Sequence, residues 1–323
     1  MNPNRTPGAA APRPGSTPRA CPDCQRRSHL LARLAPYIEK ACCAAPAPGV
    51  RELLTLDNEG LCAVVAPRQG EQLLACVESL DEPVLDGLLE AARCWAVCRH
   101  EDGFPEALRE VPDAPWALIG RGNPAHLEGL SREKAVTIAG SRRATTYGRE
   151  VARSLGRDLA EEGIVVLSGL AFGIDACAHR GALETGRTFA VLGSGADFAY
   201  PASHRALWRQ IGERGLVLSE LPPGTGAWRW TFPARNRILA GLAGMTFVVE
   251  AAERSGSMIT AEAARLLGRK VGAVPGPVNS RASAGSNGLL ARGAYVVREA
   301  QDVLDALAGV DDLGGLDREG PNG

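Results

Sequence analysis

The sequence predicts an α/β protein, a doubly wound, Rossmann-like and mostly parallel sheet preceded by a small helical N-terminal module. Short apolar, β-branched runs recur at intervals of 24 to 29 residues and begin at Val136, Ile164, Thr188, Leu216, Met245, Lys270 and Ala294. Helical patterns separate most of these runs, for example at 149–162 and 259–267. Continuous apolar strands that alternate with helices are typical of a parallel sheet covered on both faces.

The first hundred residues have a different pattern. Apolar positions at Leu30, Leu34 and Ile38 predict a helix over 25–41, and two helix-like runs, RELLTL and EPVLDGLLEAARCWAV, follow within 50–97. Prolines then interrupt short apolar pieces such as WALIG, which indicates a connecting segment. We therefore expect a disordered lead at 1–20, a helical module at 21–100, a connecting segment at 101–133, a Rossmann-like domain at 134–308 and a disordered acidic tail at 309–323.

Composition limits the class of protein. The 323 residues are 45% hydrophobic, and 36 basic residues stand against 37 acidic ones. This balance gives no global signal for nucleic acid, although a local groove can still be basic. No apolar run approaches the roughly 18–20 residues that span a bilayer, and the Pro/Ala/Arg-rich start lacks the apolar centre of a secretion signal. We expect a cytoplasmic protein without a membrane partner.

The nine cysteines are odd in number and mostly scattered, which suits a reducing compartment better than a disulfide framework. One group invites a metal hypothesis, since Cys21 and Cys24 form a C-x-x-C pair that is followed by Cys42 and Cys43. Four thiolates can hold structural zinc. Adjacent cysteines, however, chelate tetrahedral zinc poorly. We therefore expect packed, reduced thiols here and no metal.

Several predicted strands end in turns that contain glycine and hydroxyl side chains and lead into helices. Residues 140–148 read GSRRATTYG, 168–175 read SGLAFGID, and 254–260 read RSGSMIT, where Ser257 is the expected helix cap. Exposed amides at a helix start favour an anion, and Arg142 adds a cation. Ligands of such sheets bind beyond the carboxyl ends of the strands. Together these turns predict a site for a phosphate-containing ligand.

The segment Trp228–Arg237, WRWTFPARNR, concentrates aromatic rings and arginines without a carboxylate, in a chain that is only 5% aromatic. Rings provide stacking surfaces for bases, and guanidinium groups bind phosphates. A packed tryptophan pair beside a surface arginine run would give the same composition. Beside a phosphate site, the segment favours an unstacked strand of nucleic acid.

The sequence does not match the common motifs of nucleotide-binding enzymes. The first turn does not match the dinucleotide pattern G-x-G-x-x-G, and no G-x-x-x-x-G-K-[ST] run is present. The five histidines have no metal-ligand or triad spacing, and we expect His179 and His204 to be structural or solvent-facing. We predict neither catalytic residues nor a cofactor.

The motifs of the predicted Rossmann-like region resemble those of the DNA-processing protein A family (DprA, also called Smf). The resemblance covers roughly 134–307 and depends on a set of motifs in the family's order: GSRRATTYG at 140–148, SGLAFGIDACAHRGAL at 168–183, LGSGADFAYP at 192–201, LSELPPG at 218–224, FPARNRILAGL at 232–242, VVEAAERSGSMITA at 248–261 and VPGPVNSRASAGSNGLL at 274–290.

The resemblance implies a homodimeric, non-enzymatic protein that binds single-stranded DNA, protects it and loads the RecA recombinase, in natural transformation where that pathway exists. It implies that Arg142 of the GSR turn holds a phosphate and that Phe232 stacks on a base. The DNA-binding set that we predict from the motifs and the aromatic segment is Gly140, Ser141, Arg142, Arg229, Phe232, Arg235, Asn236, Arg237, Gly256, Ser257 and Thr260.

The chain departs from the family's pattern at three points. Phe172 stands where members often have a basic residue, and Arg229 is a candidate to compensate. His204 stands where Asn is common. The chain ends in an acidic, Gly-rich stretch, so we expect it to lack the C-terminal winged-helix domain of many members.

The alternative to a DNA-binding protein is a Rossmann-like phosphoribohydrolase that processes nucleotides. Those enzymes carry a PGGxGTxxE motif, whereas the analogous strand end here reads EAAERSGSMITAEAA.

Overall fold

A single nine-stranded sheet organises the computed structural model, which describes residues 18–44 and 47–309. The strands are β1 (Trp95–Cys98), β2 (Ala117–Gly122), β3 (Ala135–Ala139), β4 (Val165–Ser168), β5 (Thr188–Val191), β6 (Leu216–Ser219), β7 (Met245–Val248), β8 (Lys270–Ala273) and β9 (Tyr295–Val296). Their order across the sheet is β1-β2-β6-β5-β4-β3-β7-β8-β9. All pairings from β6 to β9 are parallel, and only those of β1 with β2 and of β2 with β6 are antiparallel.

This architecture confirms the predicted mostly parallel α/β sheet. All seven predicted runs are strands, and each strand begins within one residue of the predicted position. β3 to β7 are almost entirely buried, which explains why their sequences are continuous apolar runs and not alternating ones.

Two further strands differ from the prediction. The run CWAV was expected to continue a helix, but the preceding helix ends at Ala91 and Arg93 adopts a left-handed φ of 54°. A left-handed residue terminates a helix, and Trp95–Cys98 then pairs with β2 at the sheet edge. WALIG likewise contributes β2 and is not only a connector. The sheet therefore extends outside residues 134–308, while the proposed division into five segments stays a prediction.

Helices cover both faces of the sheet. They are α1 (Pro22–Cys42), α2 (Val50–Thr55), α3 (Asn58–Val65), α4 (Gly70–Glu78), α5 (Glu82–Ala91), α6 (Glu106–Arg109), α7 (Ala125–Glu128), α8 (Thr146–Glu161), α9 (Ile174–Thr185), α10 (Arg205–Arg214), α11 (Thr231–Leu242), α12 (Gly256–Leu266), α13 (Ala284–Leu290) and α14 (Ala300–Ala308). α8, α9 and α14 pack with β3, β4 and β7, whereas α11 packs with β5 and β6 on the other face. Within the described ranges, no helix combines the length and apolar character needed to cross a bilayer.

The helical N-terminal module is present, and α1 is its longest element. The predicted stripe Leu30, Leu34 and Ile38 is fully buried and packs with α2 to α4 and with Trp230. Most of the expected lead and tail lies outside the described residues. Residues 18–20 of that lead lie against β1, since Ala96 N donates to Pro18 O at 3.2 Å.

A buried ion network joins the module, α11 and the sheet. Arg237 on α11 is 1% exposed. Its Nη2 donates to Glu220 Oε1 at 2.7 Å, and its Nε lies 3.3 Å from Asp113 Oδ2. Arg51 of α2 binds the same Asp113 carboxylate through two hydrogen bonds of 2.8 and 2.7 Å. Each buried charge is therefore paired, as burial requires.

We expect Arg237→Ala to destabilise the fold. The substitution leaves Glu220 without its cation and Asp113 with Arg51 alone, and removal of one partner from a buried ion pair costs about 3–5 kcal/mol. Urea unfolding at neutral pH measures the loss. Arg214→Ala, an exposed change at the end of α10, is the control and should stay within about 0.5 kcal/mol of wild type. A loss no larger than the control's would contradict this structural role.

Candidate nucleic-acid interface

The strand order creates a switch point between β3 and β7. The chain runs outward from β3 through β4, β5 and β6, and then returns to the other side of β3 to form β7. In open α/β sheets, ligands bind at the carboxyl ends of strands where the order reverses in this way. The turns after β3, β4 and β7 meet at this position.

A cleft of about 440 Å³ opens there. Its walls come from the turns after β3, β4 and β7 and from the first turns of α11 and α12. Nine of the eleven predicted DNA-binding residues line it: Gly140, Ser141, Arg142, Phe232, Arg235, Asn236, Gly256, Ser257 and Thr260.

Glu250 ties the turn after β3 to the end of β7. Its main-chain O accepts a hydrogen bond from Ser141 N at 2.6 Å. Its buried carboxylate accepts from both Thr145 N and Thr145 Oγ1 at 2.8 Å, while Thr145 also caps α8. Gly173, in the turn after β4, packs directly against the turn after β3. Its φ is 75°, and a Cβ there would lie 2.2 Å from Ser141 O. A larger residue at position 173 would push these turns apart.

The start of α12 supplies the anion-facing wall. The helix cap is Ser255 and not Ser257 as expected, because Ser255 Oγ accepts from Ser257 N at 3.4 Å. Ser257 is instead the second helical residue, and its hydroxyl lies 2.8 Å from Ser255 Oγ. The amides and hydroxyls of this turn border the cleft, which is a favourable setting for a phosphate.

Flat groups line another part of the cleft. The guanidinium carbon of Arg142 lies 5.1 Å from the ring centre of Phe232, and the ring centres of Phe232 and Tyr200 are 5.6 Å apart. Arg142 and Tyr200 are exposed and Phe232 is half-buried. A cation over a ring face is attractive, so the three side chains form a continuous surface on which a base can stack. Tyr200 was missed as a site residue although its motif was recognised.

The floor of the cleft holds two buried titratable residues, Arg235 and Asp175. Arg235 is 7% exposed; its Nη1 donates to Val191 O, and its Nε has no hydrogen-bond partner among the described residues. Burial lowers the pKa of Arg235 to about 10, and Asp175 opposes that shift. Burial also raises the pKa of Asp175, which accepts from Gly169 N and Ala171 N at 3.2 Å. Arg235 therefore contributes charge from beneath the cleft and not from its rim.

Two predicted residues lie elsewhere. Arg237 belongs to the buried ion network and does not line the cleft, and Arg229 is exposed outside it. The two tryptophans of the aromatic segment also differ in exposure: Trp230 is 3% exposed and Trp228 is 36% exposed. Trp230 Nε1 donates to Ala35 O at 3.1 Å, which makes it a packing residue.

A second hollow of about 540 Å³ continues from the cleft and shares Arg142 and Arg143 with it. Arg149 of α8 and Arg180 of α9 add two exposed cations, and the described residues that line it include no carboxylate. Sequence reasoning gave these two arginines no role, although both lie within or beside the recognised motifs. Four arginines thus form a basic track on a chain whose net charge is −1.

Two of the three departures from the family's pattern, Phe172 and His204, lie together in this hollow. The rings of Phe172 and His204 pack edge to face with centres 4.9 Å apart. His204 Nδ1 lies 3.0 Å from Leu170 O. His179 is fully buried, with Nδ1 2.7 Å from Thr188 Oγ1, and burial lowers its pKa to about 3. Both histidines are buried and have hydrogen-bond partners, and their structural role stays a prediction.

Sequence comparisons identify relatives over the same region. A profile of the DNA recombination-mediator protein A family matches residues 95–308. A Mycobacterium tuberculosis protein is 46% identical over 201 residues, which are 62% of this chain and 50% of that protein. The DNA processing protein DprA of Streptococcus pneumoniae is 43% identical over 205 residues, 63% of this chain and 71% of that protein. The match thus spans about half the length of the M. tuberculosis relative.

Two solved structures share the fold. Streptococcus pneumoniae DprA superimposes with a TM-score of 0.69 at 32% identity, over 88% of this chain and 98% of that one. Helicobacter pylori DprA, described for its single-stranded DNA binding mode, superimposes with a TM-score of 0.60 at 29% identity, over 67% of this chain and 96% of that one. The profile match covers more than half of the sequence and includes every strand of the sheet. The chain belongs to the DNA recombination-mediator protein A family.

Proposed function

We propose that the chain binds single-stranded DNA in the cleft and along the basic track, with the nine predicted residues that line the cleft as contacts. The observation that carries the proposal is the arrangement of two unlike walls. The first turn of α12 offers amides and hydroxyls to a phosphate, and Arg142 and Phe232 line the same cleft, with Tyr200 packed against Phe232. A nucleotide strand presents both groups, and it must be unpaired for its bases to reach a ring.

The basic track favours a strand over a single nucleotide. Arg143, Arg149 and Arg180 extend the positive charge beyond the first cleft into the second hollow. Consecutive phosphates would use this charge, whereas a mononucleotide would not. The described DNA binding of the H. pylori relative supports the same class of ligand. Arg229 is exposed beside the aromatic segment and remains a proposed peripheral contact.

We also propose a binding protein and not an enzyme. The phosphoribohydrolase alternative needs a catalytic acid near the end of β7. Glu250, at that position, is 2% exposed and holds Thr145 through both carboxylate oxygens, which gives it a structural role. Release of base from nucleoside monophosphates by the purified chain would contradict this view.

Arg142→Ala should weaken binding of labelled oligo-dT and reduce its salt dependence. Each phosphate neutralised on a single strand contributes about −0.7 to the slope of log K against log salt, so the slope should become shallower by about 0.7. Fluorescence anisotropy over a salt series measures it. Arg214→Ala, beside the amino end of β6 and thus at the opposite edge of the sheet, should change neither quantity. Equal slopes for Arg142→Ala and wild type would count against the phosphate contact.

Phe232→Leu should weaken binding without changing the salt slope, because the side chain stays apolar and only the flat ring is lost. Stacking on one base is worth about 1–3 kcal/mol, and the same anisotropy titration measures the difference. Phe232→Tyr keeps the ring and should bind within a few-fold of wild type. If the leucine variant binds as tightly as the tyrosine variant, Phe232 does not stack on a base.

A finer proposal is that the chain acts as a homodimer, protects single-stranded DNA and loads the RecA recombinase. Family membership supports it. The chain should then shorten the lag in ATP hydrolysis by RecA on DNA coated with single-strand binding protein, and Arg142→Ala should lose this effect. Light scattering should give the mass of two chains. An unchanged lag despite tight DNA binding would refute loading while leaving the DNA-binding proposal intact.

A further inference from the structure

Three cysteines and one histidine meet at the boundary between the N-terminal module and the sheet. They are Cys21, Cys24, Cys98 and His100, and their sulfur and nitrogen atoms all lie within 4.8 Å of one another. Cys21 is the N-cap of α1 and Cys24 lies in its first turn. Cys98 is the last residue of β1, and His100 follows two residues later. Cys24 and Cys98 also belong to the hydrophobic core, and the proposed DNA site uses none of the four.

The distances fit a tetrahedral metal. With zinc–sulfur bonds of about 2.3 Å and zinc–nitrogen bonds of about 2.0–2.1 Å, sulfur and nitrogen ligands lie about 3.6 Å apart and two sulfurs about 3.8 Å apart. Cys21 Sγ and Cys24 Sγ each lie 3.5 Å from His100 Nδ1. Cys98 Sγ lies 4.0 Å from the same nitrogen.

Hydrogen bonding alone does not account for this arrangement. An imidazole nitrogen carries either one proton or one lone pair in the ring plane, so His100 Nδ1 cannot satisfy three sulfurs at once. A single cation at the centre would interact with all four atoms. The start of α1 also favours thiolates, because Cys21 and Cys24 lie at the positive end of a 21-residue helix that stabilises negative charge.

The surroundings are those of a closed structural site. Cys24 and Cys98 are fully buried, Cys21 is half-buried and His100 forms the exposed side. Cys21 N also donates to Cys98 Sγ at 3.5 Å, which links the first turn of α1 to the edge strand directly. Four protein ligands leave no open position for a substrate, as in structural and not catalytic zinc sites.

We propose that Cys21, Cys24, Cys98 and His100 bind one structural zinc ion, which fastens α1 to strand β1. This set differs from the one that the sequence suggested. Cys42 and Cys43 lie at the opposite end of α1, where Cys43 is exposed, and they take no part. The proposal is independent of DNA binding, since none of the four ligands lines the cleft or the basic track.

Zinc content of the full chain, purified without chelators, tests the proposal. Inductively coupled plasma mass spectrometry should find about one zinc per chain. Replacement by cobalt should give the absorption spectrum of a tetrahedral site with thiolate ligands. A chain without bound zinc, isolated with a Cys21–Cys24 disulfide or with free thiols, would overturn the proposal.

His100 is the exposed ligand, so variants at this position test zinc binding without disturbing the buried core. Loss of a group that only supports a ligand costs about 10–100-fold in affinity, so His100→Ala should weaken zinc binding by more than about 100-fold, whereas His100→Cys should retain it through four thiolates. Cys43→Ser is the matched control and should bind as wild type does. A chelator should lower the melting temperature of wild type but not of His100→Ala, because a metal held only by the folded state stabilises it. Zinc retained in His100→Ala, or lost in Cys43→Ser, would refute this ligand set.

Discussion

The candidate site depends on the contact between Glu250 and the turn after β3. One residue receives hydrogen bonds from Ser141 N on its main chain and from Thr145 on its carboxylate, so two turns from neighbouring strands behave as one unit. A Cβ on Gly148 would lie 2.7 Å from a Glu250 oxygen, which leaves the first turn of α8 no room for a larger residue. Arg142 lies between Ser141 and Thr145, so the same contact holds the backbone from which its guanidinium extends to Phe232.

The sequence predicts the sheet well because a parallel strand that is buried on both faces must be a continuous apolar run. That signal is independent of neighbours, and it located seven strands to within one residue. It fails for β1, since a short apolar run is compatible with a buried helix as well as with a strand. The boundary between α5 and β1 depends on Arg93, whose left-handed backbone ends the helix. No residue preference predicts that conformation for arginine. β2 was missed for a related reason, because its strand character depends on pairing with β1 and β6.

Residue roles within the site are less predictable than its location. The arginines of Trp228–Arg237 look alike in sequence, yet Arg229 is exposed, Arg235 lies in the floor of the cleft and Arg237 is ion-paired in the core. Residues two apart on a helix point in nearly opposite directions, so where α11 begins and which face it buries decide their roles. The proposed zinc site is a comparable case. Spacing revealed its C-x-x-C half, but Cys98 and His100 join it only through the pairing of α1 with the sheet edge.

Helix α1 of the N-terminal module contacts both the sheet edge and the segment that precedes α11. α1 contains 21 residues and is therefore about 30 Å long. Near its C-terminal end, Ala35 O and the Glu39 carboxylate accept hydrogen bonds from Trp230 Nε1 and Trp230 N. Trp230 directly precedes α11, whose second residue is Phe232, so α1 supports the stacking wall of the cleft. At its other end the proposed zinc site would join α1 to β1, the edge strand furthest from β9. The helix would then connect the sheet edge to the aromatic wall, and the second tryptophan of the WRW sequence is explained by its packing against α1.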